Sequence, residues 1–82
     1  MEYYLLTFKS THAAMAAQKH LDGKLSYMVC PILREISASC GISLRINNAT
    51  YDEIIENMDK YPLGKEMYQI YIVTHEGIKE II

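Results

Sequence analysis

The chain has 82 residues, half of them apolar, and a formal charge of −2 at pH 7. This length accommodates one domain, and the apolar fraction suffices for a packed core, so we expect a single folded domain rather than a disordered segment. The small negative charge gives no attraction to nucleic acid or an anionic membrane, and no apolar run approaches the ~20 residues of a membrane-spanning helix. We therefore treat residues 1–82 as one soluble domain, with no nucleic-acid or membrane partner expected.

The first part of the chain predicts a strand followed by a helix. Glu2–Phe8 is rich in Tyr and apolar side chains and contains no Gly or Pro, which is typical of a covered strand. Ser10 and Thr11 offer hydroxyl groups at a helix start, and the alanine-rich stretch Ala13–Leu21 predicts the helix itself. The following Asp22–Gly23 pair is a typical C-terminal stop.

Two further strands are predicted in the middle of the chain, over Leu25–Pro31 and Ile42–Asn47. In the second of these, apolar and polar residues alternate, as they do in a half-buried strand. The ten residues between the two strands show no regular pattern.

A second helix and a last strand complete the predicted elements. Thr50 and Glu53 have the spacing of a capping box, and apolar residues recur after them at helical spacing as far as Met58. Met67–Thr74 predicts the fourth strand, and the short apolar tail Ile78–Ile82 is compatible with an edge strand.

The order strand, helix, strand, strand, helix, strand predicts an α+β fold. The economical arrangement is a ferredoxin-like two-layer sandwich, in which an antiparallel four-stranded sheet carries two helices on one face.

The irregular segment before the third strand holds the main candidate reactive group, the thiol of Cys40. A thiol reacts as the thiolate, which nearby positive charge and hydrogen-bond donors favour. Gly41 lets the backbone approach a ligand or adopt a positive φ. The side chains that could activate the thiol are those of Arg34, Ser37, Ser39 and Arg45.

A structural interpretation of Cys40 stands beside the reactive one. Cys40 is in phase with Ile42, Leu44 and Ile46, so it could be the first core residue of the third strand. Free cysteine is among the most buried residue types.

The segment Pro31–Leu44, PILREISASCGISL, resembles the signature of a small family of selenium/sulfur carrier-like proteins. The opening run Tyr3–Phe8 and the following Ser10–Ala14 resemble that family's first strand and helix. The resemblance covers nearly the whole chain. One departure is Ile32–Leu33 before the arginine, where the family more often has a second proline.

The resemblance implies that Cys40 carries sulfur or selenium as a persulfide or selenosulfide. The donor would be a protein such as a cysteine desulfurase, the acceptor a second protein, and the chain itself a carrier without a cofactor rather than an enzyme. The matching positions of the family pattern are Arg34, Glu35, Ser37, Ser39, Cys40 and Gly41.

The second cysteine, Cys30, lies inside a strand-like run and is interpreted as a buried structural thiol. The alternative is a partner for Cys40 in a disulfide, which requires Cα atoms within about 7 Å. With two cysteines and three histidines that lack close-paired spacing, no metal site is predicted.

Two other functions compete with the carrier. One is a ferredoxin-like binding or regulatory module in which Cys40 is structural and copies pair as a homodimer, which the tyrosines and the tail Ile78–Ile82 would suit. The other, ranked lower because there is no C-x-x-C motif, is a redox protein that cycles Cys30 and Cys40. The N-terminal residues do not have the pattern of a signal peptide, so a cytoplasmic location with reduced cysteines is expected.

Overall fold

A computed structural model describes residues 2–31 and 41–81 of the chain. Its fold is α+β, with two helices and one antiparallel sheet of five strands. A short 3₁₀ turn, Lys65–Met67, leads into the fourth strand. The elements in chain order are β1 (Tyr3–Phe8), α1 (Thr11–Leu21), β2 (Met28–Pro31), β3 (Ile42–Ile46), α2 (Tyr51–Met58), β4 (Tyr68–Thr74) and β5 (Gly77–Glu80).

The sheet has the strand order β2-β3-β1-β4-β5, so β1 lies at its centre. Leu6 of β1 pairs with Leu44 of β3 on one side and with Ile70 of β4 on the other. All four strand pairs are antiparallel.

The prediction of four strands was wrong, because the tail adds a fifth. Gly77 adopts a φ of +133°, which favours glycine, and the chain reverses there. The tail then pairs with β4, Ile78 lying opposite Val73 and Glu80 opposite Tyr71. This pairing satisfies backbone groups that β4 would otherwise expose at the edge of the sheet.

The second strand is shorter than predicted and begins at Met28 rather than at Leu25. The N–H groups of Lys24 and Leu25 both donate to the carbonyl of Leu21, at 2.9 and 3.1 Å. Residues 24 and 25 therefore belong to the turn that ends α1, in which Gly23 has a φ of +79°.

The core lies between one face of the sheet and the two helices. Alternate residues of β1 and β3, among them Leu6 and Leu44, point to this face, and the helices bury small or apolar residues against it. The buried residues of the core are Leu6, Phe8, Ala13, Ala14, Ala17, Leu21, Leu44, Ile46, Ile54, Met58, Tyr61, Tyr68 and Ile70.

Both helix starts have the predicted caps. The N–H of Ala13 donates to the hydroxyl of Ser10 at 3.1 Å. The capping box of α2 is complete, since Glu53 N–H donates to Thr50 Oγ1 and Thr50 N–H donates to Glu53 Oε1. Neither helix in residues 2–31 and 41–81 has the length and apolar character needed to cross a bilayer.

Hydrogen bonds join the two helices at their buried sides. The hydroxyl of Tyr61, which follows α2, donates to the carbonyl of Ala13 at 2.7 Å. His20 Nε2 lies 2.7 Å from the carbonyl oxygen of Asn57. The ring of Tyr61 contacts the rings of His20 and Tyr68 edge to face. Tyr61 therefore packs against both α1 and the sheet, and it holds the end of α2 in place.

Candidate functional site

The predicted site lies between β2 and β3, and most of it falls on residues 32–40, outside the described part of the chain. Gly41 and Arg45 are described and can be placed. The predicted site residues that lie outside the described ranges are Arg34, Glu35, Ser37, Ser39 and Cys40.

The two ends of this segment are held side by side. Pro31 is the last residue of β2 and lies opposite Ile42, the first residue of β3. Ser43, which is fully buried, donates its hydroxyl toward the carbonyl oxygens of Cys30 and Pro31, at 3.4 and 3.5 Å. These distances are long for O–H···O hydrogen bonds, so the Ser43 hydroxyl connects the ends of β2 and β3 only weakly.

Gly41 is exposed at a bend directly before β3. A methyl group at its Cα would meet no atom within 4 Å among the described residues. The role predicted for Gly41 in ligand approach stays a prediction.

Arg45 lies toward the other end of β3. It lies four positions after Gly41 in the sequence, a distance of about 13 Å along an extended strand. Its guanidinium Cζ is 3.9 Å from the ring centroid of Tyr3, and its Nε donates to Asn47 Oδ1 at 3.0 Å. In the described structure the Arg45 guanidinium therefore makes a cation–π contact with Tyr3 and a hydrogen bond with Asn47.

Cys30 is a free thiol and is partly exposed, so the prediction of a buried structural cysteine was wrong. The physical reason is that β2 is an edge strand and has a neighbour on one side only. Cys30 lies opposite Ser43 and therefore shares the sheet face that points away from the helices. This places it two residues before the start of the segment 32–40, which carries Cys40.

The sheet face away from the helices is less exposed than the sequence pattern suggests. Ser43 and its neighbour Thr7 are 0 % and 1 % exposed, although both are polar and no described helix covers them. Beside them Tyr71 donates its hydroxyl to Gln69 Oε1 at 3.1 Å. Burial and the nearby charge of Glu80 raise the pKa of Tyr71.

The sequence pattern places Ser43 on the polar, outward side of the third strand, so its burial was not predicted. Its cross-strand neighbours are Cys30 on one side and Thr7 on the other. Only the register reveals those neighbours, and no local pattern in the sequence encodes it.

No group of three or more potential metal ligands occurs within residues 2–31 and 41–81, and every buried side-chain N or O atom described has a hydrogen-bond partner.

A family model described as "Putative Se/S carrier protein-like" matches residues 3–72. The chain belongs to this selenium/sulfur carrier-like family. The matched range runs from β1 into β4 and includes every predicted site residue, Cys40 among them, whereas β5 lies beyond it. No curated protein and no solved structure matches the chain. The function of this carrier-like protein is therefore inferred from its family.

Proposed function

We propose that the protein is a sulfur or selenium carrier in which Cys40 holds the transferred atom. The observation that carries this proposal is the family match over residues 3–72, which spans Cys40 and its neighbours. The exposed bend at Gly41, one residue away, supports it because a transfer site has to admit a second protein.

The transfer step is an exchange between a thiolate and a persulfide. The Cys40 thiolate attacks the outer sulfur of a persulfide on the donor protein, an S–S bond forms at Cys40, and the donor's S–S bond breaks to leave a donor thiolate. The sulfane sulfur moves without net oxidation or reduction, and an acceptor thiolate removes it by the same exchange. With selenium as the cargo, Cys40 would hold a selenosulfide.

Within this proposal Arg34 is the group that stabilises the Cys40 thiolate, with Ser37 and Ser39 as hydroxyl donors. Glu35 and Gly41 shape the segment. Arg45 is a less direct candidate, since it would have to leave its contacts with Tyr3 and Asn47 to reach the thiol.

We further propose that the carrier works in the cytoplasm, without a cofactor, between a cysteine desulfurase-like donor and an acceptor protein, and that it is not itself an enzyme. We also infer a ferredoxin-like core for β1 to β4, with β5 as an addition. The antiparallel order β2-β3-β1-β4 supports that inference.

The test is sulfur loading from a cysteine desulfurase supplied with cysteine, followed by intact mass measurement under non-reducing conditions. The wild-type protein and Cys30→Ser should gain the mass of a sulfur atom and lose it again on treatment with a reducing agent. Cys40→Ser should gain nothing.

Loading of Cys40→Ser to the wild-type extent would overturn the carrier role of Cys40. If mild oxidation instead removes two hydrogens and consumes both thiols without any loading, the redox cycle of Cys30 and Cys40 is the better account.

A further inference from the structure

The two edges of the sheet differ in their protection against strand pairing. β5 carries Lys79 and Glu80, and charged residues of this kind discourage the addition of another strand. β2 consists of Met28, Val29, Cys30 and Pro31 and has no charged residue. Within residues 2–31 and 41–81, its outer backbone groups have no partner strand, because β2 is the last strand in the order.

The side chains of this unprotected edge are apolar on both faces. Met28 is 56 % exposed and lies opposite Arg45, on the face away from the helices. Val29 is 47 % exposed and lies opposite Leu44, on the helix side. A strand added beside β2 would cover both residues.

A groove on the helix side continues this apolar surface. It has a volume of about 470 Å³, and Met15 and Ala16 of α1 face Tyr27 across it, one residue before β2. Met15 is 61 % exposed, and the hydroxyl of Tyr27 is fixed to Asp22 Oδ1 at 2.8 Å. Three of the four exposed large apolar side chains in the described ranges thus lie along one side of the molecule, with Tyr51 as the fourth.

We propose that this side of the molecule is the interface with a second copy of the chain. The two β2 strands pair antiparallel about a two-fold axis near Val29, so that two five-stranded sheets become one sheet of ten strands. Met15 and Tyr27 of each copy then fill the space between the two α1 helices.

Charge and size favour a second copy as the occupant. A two-fold interface places a patch against itself, which requires that the patch carry no net like charge. β2 is uncharged, and the groove beside it is lined by Lys19 and Asp22, whose opposite charges cancel. A standard interface buries about 800 Å² per partner, which is about a sixth of the 5117 Å² surface of this chain. A strand edge together with one flank of a helix can supply an area of that order.

The first experiment measures molar mass by sedimentation or light scattering, from about 1 µM upward. The wild-type protein should show twice the chain mass of 9.4 kDa. Val29→Lys and Met15→Lys should weaken dimerisation by roughly tenfold or more, because each places a charge in the buried interface. Tyr51→Lys is the matched control, an exposed apolar residue on α2, and should remain dimeric.

A second measurement gives the geometry and does not depend on how well the lysine variants fold. In a Cys40→Ser background, the two Cys30 residues of the dimer should lie within about 10 Å across the axis. A short bis-maleimide should therefore join them, and Cys30→Ser should abolish the product.

A wild-type protein that stays monomeric at all concentrations overturns the proposal, as does a dimer that neither Val29→Lys nor Met15→Lys weakens. A dimer that Tyr51→Lys disrupts, with no Cys30 cross-link, would place the interface elsewhere and also contradict it. Neither experiment uses a sulfur donor, so its outcome is independent of the carrier function.

Discussion

Pro31 and Ile42 lie opposite each other in the last pair of the β2–β3 ladder. Pro31 has no N–H to donate, so the ladder cannot continue through it as a regular pair. The described part of the β2–β3 ladder therefore ends at one corner of the sheet, next to Cys30 and Gly41.

The two thiols should differ in reactivity. At neutral pH we expect Cys40 to be alkylated roughly tenfold faster than Cys30 or more, with an apparent pKa below the ordinary value of ~8.5. Arg34→Ala should raise that apparent pKa, and Arg45→Ala should leave it nearly unchanged. The measurement is the alkylation rate of each cysteine against pH, followed by peptide mass spectrometry. If both thiols stay unreactive until the protein unfolds, Cys40 is a core residue and the structural interpretation is correct.

A larger side chain at the contact between α1 and the sheet should destabilise the protein. Ala17 is 0 % exposed in the core, so Ala17→Leu should lower the free energy of unfolding by about 1–3 kcal/mol through overpacking. Ala16 is the neighbouring alanine and is only partly buried, and Ala16→Leu should change stability by less than about 0.5 kcal/mol. Urea denaturation of the two variants provides the comparison. Equal losses in the free energy of unfolding would mean that Ala17 is not more tightly packed than Ala16.

Two buried tyrosines should make the protein sensitive to alkali. Tyr61 and Tyr68 are 5 % and 4 % exposed, and burial is the main cause that raises the pKa of each above 10. The folded protein therefore keeps these protons at a pH where the unfolded chain releases them. Stability should be complete below pH ~10 and should fall as the pH rises through the folded-state pKa values.

The measurement is the free energy of unfolding between neutral pH and the alkaline range. Tyr68→Phe removes one titrating group and should flatten the alkaline decline. Tyr61→Phe should do the same, but it should also cost about 1 kcal/mol at neutral pH because it removes the hydrogen bond to Ala13. A decline of unchanged steepness in the double variant would assign the alkaline sensitivity to other groups.

The start of α2 should depend on its capping box. Thr50→Ala removes the oxygen that accepts from the Glu53 N–H at 3.2 Å, and we expect a loss of about 1 kcal/mol in stability. Thr50→Ser retains the hydroxyl and should stay close to the wild type. Thermal or urea unfolding distinguishes the two, and a serine variant as unstable as the alanine variant would show that the cap is not the stabilising feature.

Sequence patterns that span only a few residues correctly predicted the helices in which they occur. Thr50 and Glu53 marked the start of α2, and Ser10 marked that of α1, because a cap is a contact between residues a few positions apart. The family resemblance, carried by the run around Cys40, was likewise contained in a short stretch of sequence, and the family match confirmed it.

The features that could not be predicted depend on neighbours distant in sequence. Whether Cys30 is buried depends on whether another strand lies outside β2, and the neighbours of Ser43 depend on the strand register. The tail Ile78–Ile82 was expected to suit an edge strand, but its partner strand, β4, could not be predicted. In each case the contact that determines the outcome is between residues far apart in the sequence, which periodicity cannot reveal.

The central position of β1 has a consequence for synthesis on the ribosome. β1 is made before both of its partners, β3 and β4, which come much later in the chain. An apolar strand such as Tyr3–Phe8 therefore emerges long before these two strands can pair with it. Stable folding has to wait until β4 has been translated, and until then β1 is exposed to aggregation or to capture by a chaperone.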